Sequence, residues 1–127
     1  MRLLLDTSVL IAADAPPADV DVAVASVSFA ELAYGVRVTA DPVQQAVRQA
    51  RLERLTARLG PGLPFDDEAA TAYGLLAGLV HAAGRNPRAR ALDLMIAATA
   101  YVNDAGVLTR NPADFAGLEP LVPIRTP

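Results

Sequence analysis

The chain has 127 residues, of which 53% are hydrophobic, so it is long enough for a single domain spanning residues 1 to 127 and too short for two ordinary domains. It contains no cysteine, which excludes disulfides and thiolate metal sites. No apolar run approaches the ~20 residues that cross a bilayer, and we expect a cytoplasmic protein without a signal peptide or membrane span. All 11 basic residues are arginine, so lysine-based mechanisms are excluded, and the net charge of -3 means that nucleic acid would have to be bound by a local arginine patch or through metal ions.

The first third of the chain contains two strand-to-helix junctions. RLLLD (2 to 6) is a short apolar run that ends in an acid, and TSVLIAAD (7 to 14) supplies hydroxyl caps and the apolar residues of a helix. VAVASVS (22 to 28) is typical of a strand, and a helix is predicted after it, where Ser28 and Glu31 match the S-x-x-E pattern of a capping box.

Two helices are predicted in the middle of the chain. Residues 42 to 59 have an apolar side and an arginine-rich side, and Gly60 follows as a helix end. Residues 63 to 84 contain a long apolar run, with Asp66 available as the N-cap and Gly84 as the stop.

The last third is predicted to return to the sheet. After the loop GRNPRAR, the segment ALDLMIAATAYVNDAG forms a helix ending near Gly106, and VLT forms a short strand. RNPADF is a loop, and LEPLVPI is a last strand interrupted by prolines. Strands that alternate with helices predict an α/β fold with a central, mainly parallel sheet flanked by helices.

Four acids lie at related places in this pattern. Asp6 follows the first strand, Glu31 lies in the helix after the second, Asp93 is in the first turn of a helix, and Asp114 follows the VLT strand. Taken singly, each has a structural interpretation: an N-cap for Asp6, the capping box for Glu31, a favourable helix-dipole contact for Asp93 and an Asx-turn for Asp114. In a parallel sheet, however, all four would lie at the same end of the fold, where ligands gather.

A cluster of carboxylates needs a positive partner. Two carboxylates ~5 Å apart repel by about 3 kcal/mol at an effective dielectric of 20, so four of them destabilise the fold unless a cation lies among them. Oxygen ligands without cysteine or histidine suit Mg²⁺ or Mn²⁺ rather than Zn²⁺. Such ions activate water and stabilise the charge of phosphodiester displacement, which indicates a nucleic-acid substrate.

Four segments in series resemble a known family: LLLDTSVLI, SFAELAYGV, LDLMIAATA and LTRNPADF. Together they resemble the PIN-domain ribonucleases, specifically the VapC-type toxins of toxin-antitoxin modules, over nearly the whole chain. The resemblance implies a PIN-like three-layer fold in which Asp6, Glu31, Asp93 and Asp114 form the metal site, with Asp6 and Asp93 the most regular Mg²⁺ ligands. It also implies endoribonuclease activity, a homodimer, and inhibition by a small antitoxin that inserts a segment near the acids.

Polar and basic residues surround the proposed site. Thr7, Ser8 and Asn111 match polar positions of the family and are candidates for orienting ligands or water, although caps and turns explain them equally well. Four arginines flank the acidic end and are candidates for phosphate contacts, or simply for an exposed, solvated surface: Arg85, Arg88, Arg90 and Arg110.

Three other functions compete with this interpretation. A phosphoaspartyl enzyme or receiver domain also places acids at strand ends, but those families rely on a lysine, which this chain lacks. A catalytically silent PIN-like domain that binds RNA or protein has no physical reason to keep four mutually repelling acids. A metal-dependent DNA nuclease remains open, because the acids act on the phosphodiester and do not distinguish ribose from deoxyribose. We therefore expect a Mg²⁺-dependent endoribonuclease, the toxin of a toxin-antitoxin pair.

Overall fold

Four short strands form one parallel sheet in the computed structural model, which describes all residues from 1 to 127. The strands are β1 (Arg2–Leu5), β2 (Asp21–Ala23), β3 (Gly106–Leu108) and β4 (Ile124–Arg125). The helices are α1 (Thr7–Ala12), α2 (Ser26–Val38), α3 (Pro42–Leu59), α4 (Asp67–Ala82) and α5 (Ala91–Val102), with 3-10 turns at Pro87–Arg90 and Pro112–Phe115. The strand order is β2-β1-β3-β4, and all neighbours are parallel. The predicted α/β fold with a parallel sheet flanked by helices is confirmed.

Successive side chains of β1 point to opposite faces of the sheet and contribute to two separate layers of the core. Leu3 and Leu5 face one side, where they pack against residues of α1, α2 and α3: Val9, Leu10, Leu32 and Leu55. Leu4 faces the other side, where it packs against residues of α4 and α5: Ala72, Leu76, Val80, Leu94 and Ile96. Each fully buried leucine contributes about 1.5–3 kcal/mol of transfer free energy, so β1 fixes the centre of the molecule and the position of the residue that follows it.

The strand predicted at 22 to 28 is shorter than expected. β2 ends at Ala23, and the chain then pairs with a different segment: the Leu63 N–H donates to the Val24 carbonyl at 2.8 Å, and the Ser26 N–H donates to the Leu63 carbonyl at 2.9 Å. These bonds form a single parallel bridge between Ala25 and Leu63, and α2 begins directly after it, at Ser26.

The capping box considered for Ser28 and Glu31 is absent from the structure. The N-cap of α2 is Ala25, which places Ser28 inside the first turn. The Ser28 side chain is fully buried and its Oγ has no hydrogen-bond partner, so it caps nothing. Glu31 lies in the second turn, where a backbone-capping role is not available, and its carboxylate is free to face another element.

The two middle helices follow the sequence pattern closely. α3 has the predicted bounds, and the Gly60 that ends it has a φ of +73°, which favours glycine. α4 begins after Asp66, whose Oδ1 accepts from the Ala69 N–H at 3.0 Å, as expected of an N-cap. No helix of the protein combines the length and the apolar character needed to cross a membrane.

The last third departs from the prediction in two places. α5 ends at Val102 rather than near Gly106, which is instead the first residue of β3. A Cβ on Gly106 would lie 2.6 Å from the Pro123 carbonyl oxygen, so glycine is required for the close approach of the chain before β4. The last strand is limited to Ile124–Arg125, because the prolines in LEPLVPI lack the amide donors that a longer strand needs.

Candidate active site

The carboxyl edge of the sheet gathers the four acids singled out by the sequence. Asp6 directly follows β1, and its N–H donates to the Leu108 carbonyl of β3 at 2.9 Å, which extends the pairing of the two central strands by one residue. Asp114 lies in the 3-10 turn after β3, Asp93 in the first turn of α5, and Glu31 in the second turn of α2.

Asp6 is held by two hydroxyl groups. Its side chain is only 6% exposed, and its Oδ2 accepts from the Ser8 Oγ and the Thr109 Oγ1, both at 2.8 Å. Each hydroxyl in turn accepts a backbone N–H: that of Arg110 to Ser8 at 3.1 Å, and that of Asn111 to Thr109 at 3.0 Å. Because the backbone donors fix the direction of both hydroxyls, the carboxylate has one orientation, and its Oδ1 accepts no hydrogen bond from the protein.

The capping role considered for Asp6 is not the one in the structure. Asp6 occupies the N-cap position of α1, but its side chain makes no capping hydrogen bond there. The sequence reasoning missed Thr109, although a signal was available: Thr109 follows β3 as Asp6 follows β1, so a strand-end search for hydroxyls as well as acids would have included it.

Glu31 reaches the site from α2. Its Oε1 accepts from the Thr7 Oγ1 at 2.8 Å, which ties α2 to the start of α1. Burial raises the pKa of Glu31, the Thr7 hydrogen bond lowers it in part, and the charge of Asp6 raises it further. Glu31 and Asp6 are therefore close enough for each charge to act on the other.

Asp93 is the acid most strongly affected by the others. Burial raises its pKa to about 6, and the charges of Asp6, Asp114 and Glu31 add to the rise, while Arg90 opposes it. Since three acids from three other segments act on one carboxyl group, the four form a single electrostatic cluster.

Asp114 has a specific cationic partner. Its Oδ1 accepts from Nη1 of Arg90, and both side chains are partly exposed. The Asx-turn considered for Asp114 is absent, because its carboxylate makes no hydrogen bond to the neighbouring backbone and pairs with the arginine instead.

The other predicted residues around the site have different surroundings. Arg110 directs its Nε toward the Asp14 Oδ2 at 3.6 Å, an ion pair too long for a hydrogen bond, and so faces the segment that follows α1. The visible contribution of Asn111 is its backbone N–H to Thr109. Arg85 lines a shallow polar depression beside His81 that includes none of the four acids.

The donor set fits a hard divalent cation in charge and chemistry. Carboxylate and hydroxyl oxygens surround the cluster, without sulfur or imidazole, and its mutual repulsion favours a positive occupant. No three of these side chains are close enough together to ligate one ion as they stand, and two of the acids have other partners: hydroxyls hold Asp6 Oδ2, and Arg90 holds Asp114. The carboxylate oxygens that accept no protein hydrogen bond include Asp6 Oδ1 and those of Asp93.

A groove lies along α1 and α3, and one end of it contains Glu31. Its main cavity, of about 610 Å³, has an apolar floor that includes Leu10 and Leu55, and three arginines of α3 line it: Arg51, Arg54 and Arg58. A second depression contains Glu31 and shares Ile11 and Arg51 with the first. The groove therefore leads from an apolar cavity with basic residues to one of the four acids.

Fold and site together define a parallel α/β domain with an acidic cluster at the carboxyl edge of its sheet. The PIN domain family model matches residues 3–118, and the chain belongs to the PIN-domain family. The resemblance to VapC-type PIN domains drawn from the four sequence segments is confirmed. A comparison with curated protein sequences finds no match.

Solved structures of toxin-antitoxin systems share the fold. VapBC-5 from Mycobacterium tuberculosis is 33% identical over 98% of this chain and 96% of that chain, with a TM-score of 0.78. FitAcB from Neisseria gonorrhoeae is 28% identical over 98% of this chain and 96% of that chain, with a TM-score of 0.77. VapBC2 from Rickettsia felis, bound to a DNA fragment from its promoter, is 23% identical over 99% and 98% of the two chains, with a TM-score of 0.78, and supports the fold alone.

Proposed function

We propose that this chain is a Mg²⁺-dependent endoribonuclease and the toxin of a toxin-antitoxin pair. The observation that carries the proposal is the gathering of four acids at one edge of the sheet: burial raises the pKa of Asp93 to about 6, and the charges of Asp6, Asp114 and Glu31 add to the rise. Repulsion among these carboxylates destabilises the fold unless a cation binds between them. Membership of the PIN-domain family and the similarity to structures of toxin-antitoxin systems support the same function.

Each residue of the cluster has a role in this proposal. Asp6 and Asp93 hold Mg²⁺, or Mn²⁺ in its place, and Glu31 and Asp114 complete its shell or position the attacking water. When bound, the ion supplies charge neutralisation at the scissile phosphodiester and activation of water. Ser8 and Thr109 keep one oxygen of Asp6 occupied, which leaves its other oxygen free of protein hydrogen bonds and available to the ion.

Other polar groups orient the acids and the substrate. Thr7 fixes Glu31 by donating to its Oε1. The side chain of Asn111 assists in positioning water or substrate. Arg110, whose N–H binds Ser8, leaves its ion pair with Asp14 to contact a phosphate, and Arg85 contacts a phosphate farther along the RNA, away from the four acids. Because the net charge is -3, RNA binding relies on these local arginines and on the cation rather than on the charge of the whole domain.

Cleavage of RNA and DNA tests this function and its alternatives. We expect fluorescent single-stranded RNA to be cut in Mg²⁺, not in EDTA, and not by Asp93→Asn in either buffer. Asp67→Asn is a matched control, since Asp67 is an exposed acid in the first turn of a different helix, α4. Cleavage of DNA of the same sequence in place of RNA would identify a DNA nuclease, and binding without cleavage of either would identify a silent domain.

For the antitoxin, we propose the groove along α1 and α3 as the binding surface. Its apolar floor and its arginines suit a segment that carries both apolar and acidic side chains, and the neighbouring depression brings that segment to Glu31. The partner to test is the product of any small open reading frame that lies immediately upstream. Co-expression should yield a complex, and Arg54→Glu should weaken it more than Arg37→Glu, which reverses an exposed charge on α2 outside the groove.

The homodimer implied by the family resemblance remains a prediction. Light scattering of the purified chain, with and without its co-expressed partner, distinguishes one copy from two.

A further inference from the structure

Arg90 is the arginine that interacts with the acidic cluster. It is the last residue of the 3-10 turn Pro87–Arg90 and the N-cap of α5, three positions before Asp93. Its guanidinium donates to the Asp114 Oδ1 and opposes the rise in the pKa of Asp93, so it faces two of the four acids. Arg110, by contrast, is directed to Asp14.

The pair between Arg90 and Asp114 is easily broken. The side chain of Arg90 is 44% exposed and that of Asp114 is 32% exposed, and ion pairs of this kind contribute little because water competes for both groups. A divalent cation held by the acids competes with Arg90 for Asp114 and repels its guanidinium. Arg90 therefore opposes cation binding at the acid to which it is bonded.

A displaced Arg90 would remain near the reacting groups. Its backbone starts the helix that carries Asp93, so its side chain stays within reach of that acid whichever partner it has. The planar guanidinium donates two parallel hydrogen bonds to a phosphate, as it does to a carboxylate. The released side chain thus has the chemistry and the position to bind the polyanion.

We propose that Arg90 exchanges partners during function: it pairs with Asp114 in the cation-free site and binds a phosphate of the RNA once a divalent cation lies among the acids. The inference rests on the proposed nuclease function and adds a substrate-binding residue to it. It predicts that loss of Arg90 has two opposite effects. The divalent cation binds more tightly because Asp114 is free, and RNA binds more weakly because a phosphate contact is lost.

Two measurements on Arg90→Ala test the exchange. Calorimetric titration with Mn²⁺ alone should show affinity about two- to fivefold tighter than wild type, the range expected for loss of an exposed ion pair. Initial rates of RNA cleavage should show KM raised about tenfold, the effect of one lost charge-assisted contact. The slope of log kcat/KM against log salt should become shallower by about 0.7, as expected for one phosphate contact to a single strand. Arg90→Lys should restore most of KM and of the slope.

A matched control separates this role from a general effect of losing an arginine. Arg2 has the same side-chain exposure of 44% and pairs with Asp21 at 3.1 Å, but it lies at the opposite end of β1 from the acids. Arg2→Ala should leave Mn²⁺ affinity, KM and the salt slope at wild-type values.

The failures of the two proposals are distinguishable. A wild-type protein that neither binds Mn²⁺ nor cuts RNA would overturn the nuclease function, and the exchange with it. If the wild type does both, two results for Arg90→Ala would each overturn the exchange alone. One is a weaker affinity for Mn²⁺, and the other is a KM and a salt slope equal to those of the wild type. A merely structural role for Arg90 would weaken both kinds of binding together.

Discussion

Asp93→Asn should stabilise the cation-free protein at pH 8. Burial and the three neighbouring acids raise the pKa of Asp93 from an ordinary 3.8 to about 6, and that difference corresponds to about 3 kcal/mol of unfavourable free energy for the ionised form. Screening by solvent at a half-buried side chain reduces this to about 1–2 kcal/mol. The substitution also removes a favourable contact with the dipole of α5, of about 0.3–1 kcal/mol. The net gain is about 1 kcal/mol, or roughly 3–5 °C in Tm for a chain of this size.

The gain should depend on pH in a defined direction. Because the pKa is raised in the folded state, ionised Asp93 destabilises the wild type in full above pH 6, and protonation relieves this as the pH falls from 6 toward 3.8. Thermal unfolding in EDTA should therefore show the advantage of Asp93→Asn at full size at pH 8 and at about half of it at pH 5.

Asp67→Asn provides the comparison. It removes an acid from the first turn of α4, away from the cluster, so it loses the helix-dipole contact without relieving repulsion and should melt slightly below wild type at pH 8. If Asp93→Asn also melts below wild type at pH 8 in EDTA, repulsion does not dominate at Asp93, and the electrostatic argument for a cation site is refuted.

The remaining predictions concern the cation, two residues of α2 and one glycine. Millimolar Mg²⁺ or Mn²⁺ should raise the wild-type Tm, and an ion concentration of a hundred times Kd should stabilise the fold by about 2.7 kcal/mol. If neither ion shifts the Tm, the proposed metal site is refuted. Glu31→Gln should melt near wild type, since a glutamine oxygen still accepts from Thr7, but should lose RNA cleavage throughout a Mg²⁺ titration; a wild-type rate would exclude Glu31 from the site. Ser28→Ala should keep activity and melt at or above wild type, because it removes a buried hydroxyl without a partner, and a clear loss of Tm would point to a bond that this hydroxyl makes. Gly106→Ala should lower the free energy of unfolding measured in urea by about 1–3 kcal/mol, because its Cβ would lie 2.6 Å from the Pro123 carbonyl oxygen; an unchanged midpoint would mean that the chain before β4 moves freely.

The local sequence pattern predicted much of the fold and singled out the four candidate acids. The bounds of α3 and the Asp66 cap of α4 follow from interactions between residues a few positions apart, which a single sequence displays. The order of strands and helices predicts a parallel sheet, and the carboxyl ends of parallel strands meet at one edge. Asp6 and Asp114 could be placed near each other on that ground, although more than a hundred residues separate them.

The partners of those acids depended on the tertiary structure. Thr7 holds Glu31 from another helix, Thr109 holds Asp6 across 103 positions, and neither pairing has a local sequence signal. The capping-box interpretation of Glu31 does not hold, because the N-cap of α2 is Ala25, three residues before Ser28, where the chain pairs with the distant Leu63. The raised pKa of Asp93 likewise requires burial and three charges from three other segments at once. Sequence spacing determines which residues can reach a shared edge, whereas the packing of distant segments decides which atoms pair there and how their charges act on one another.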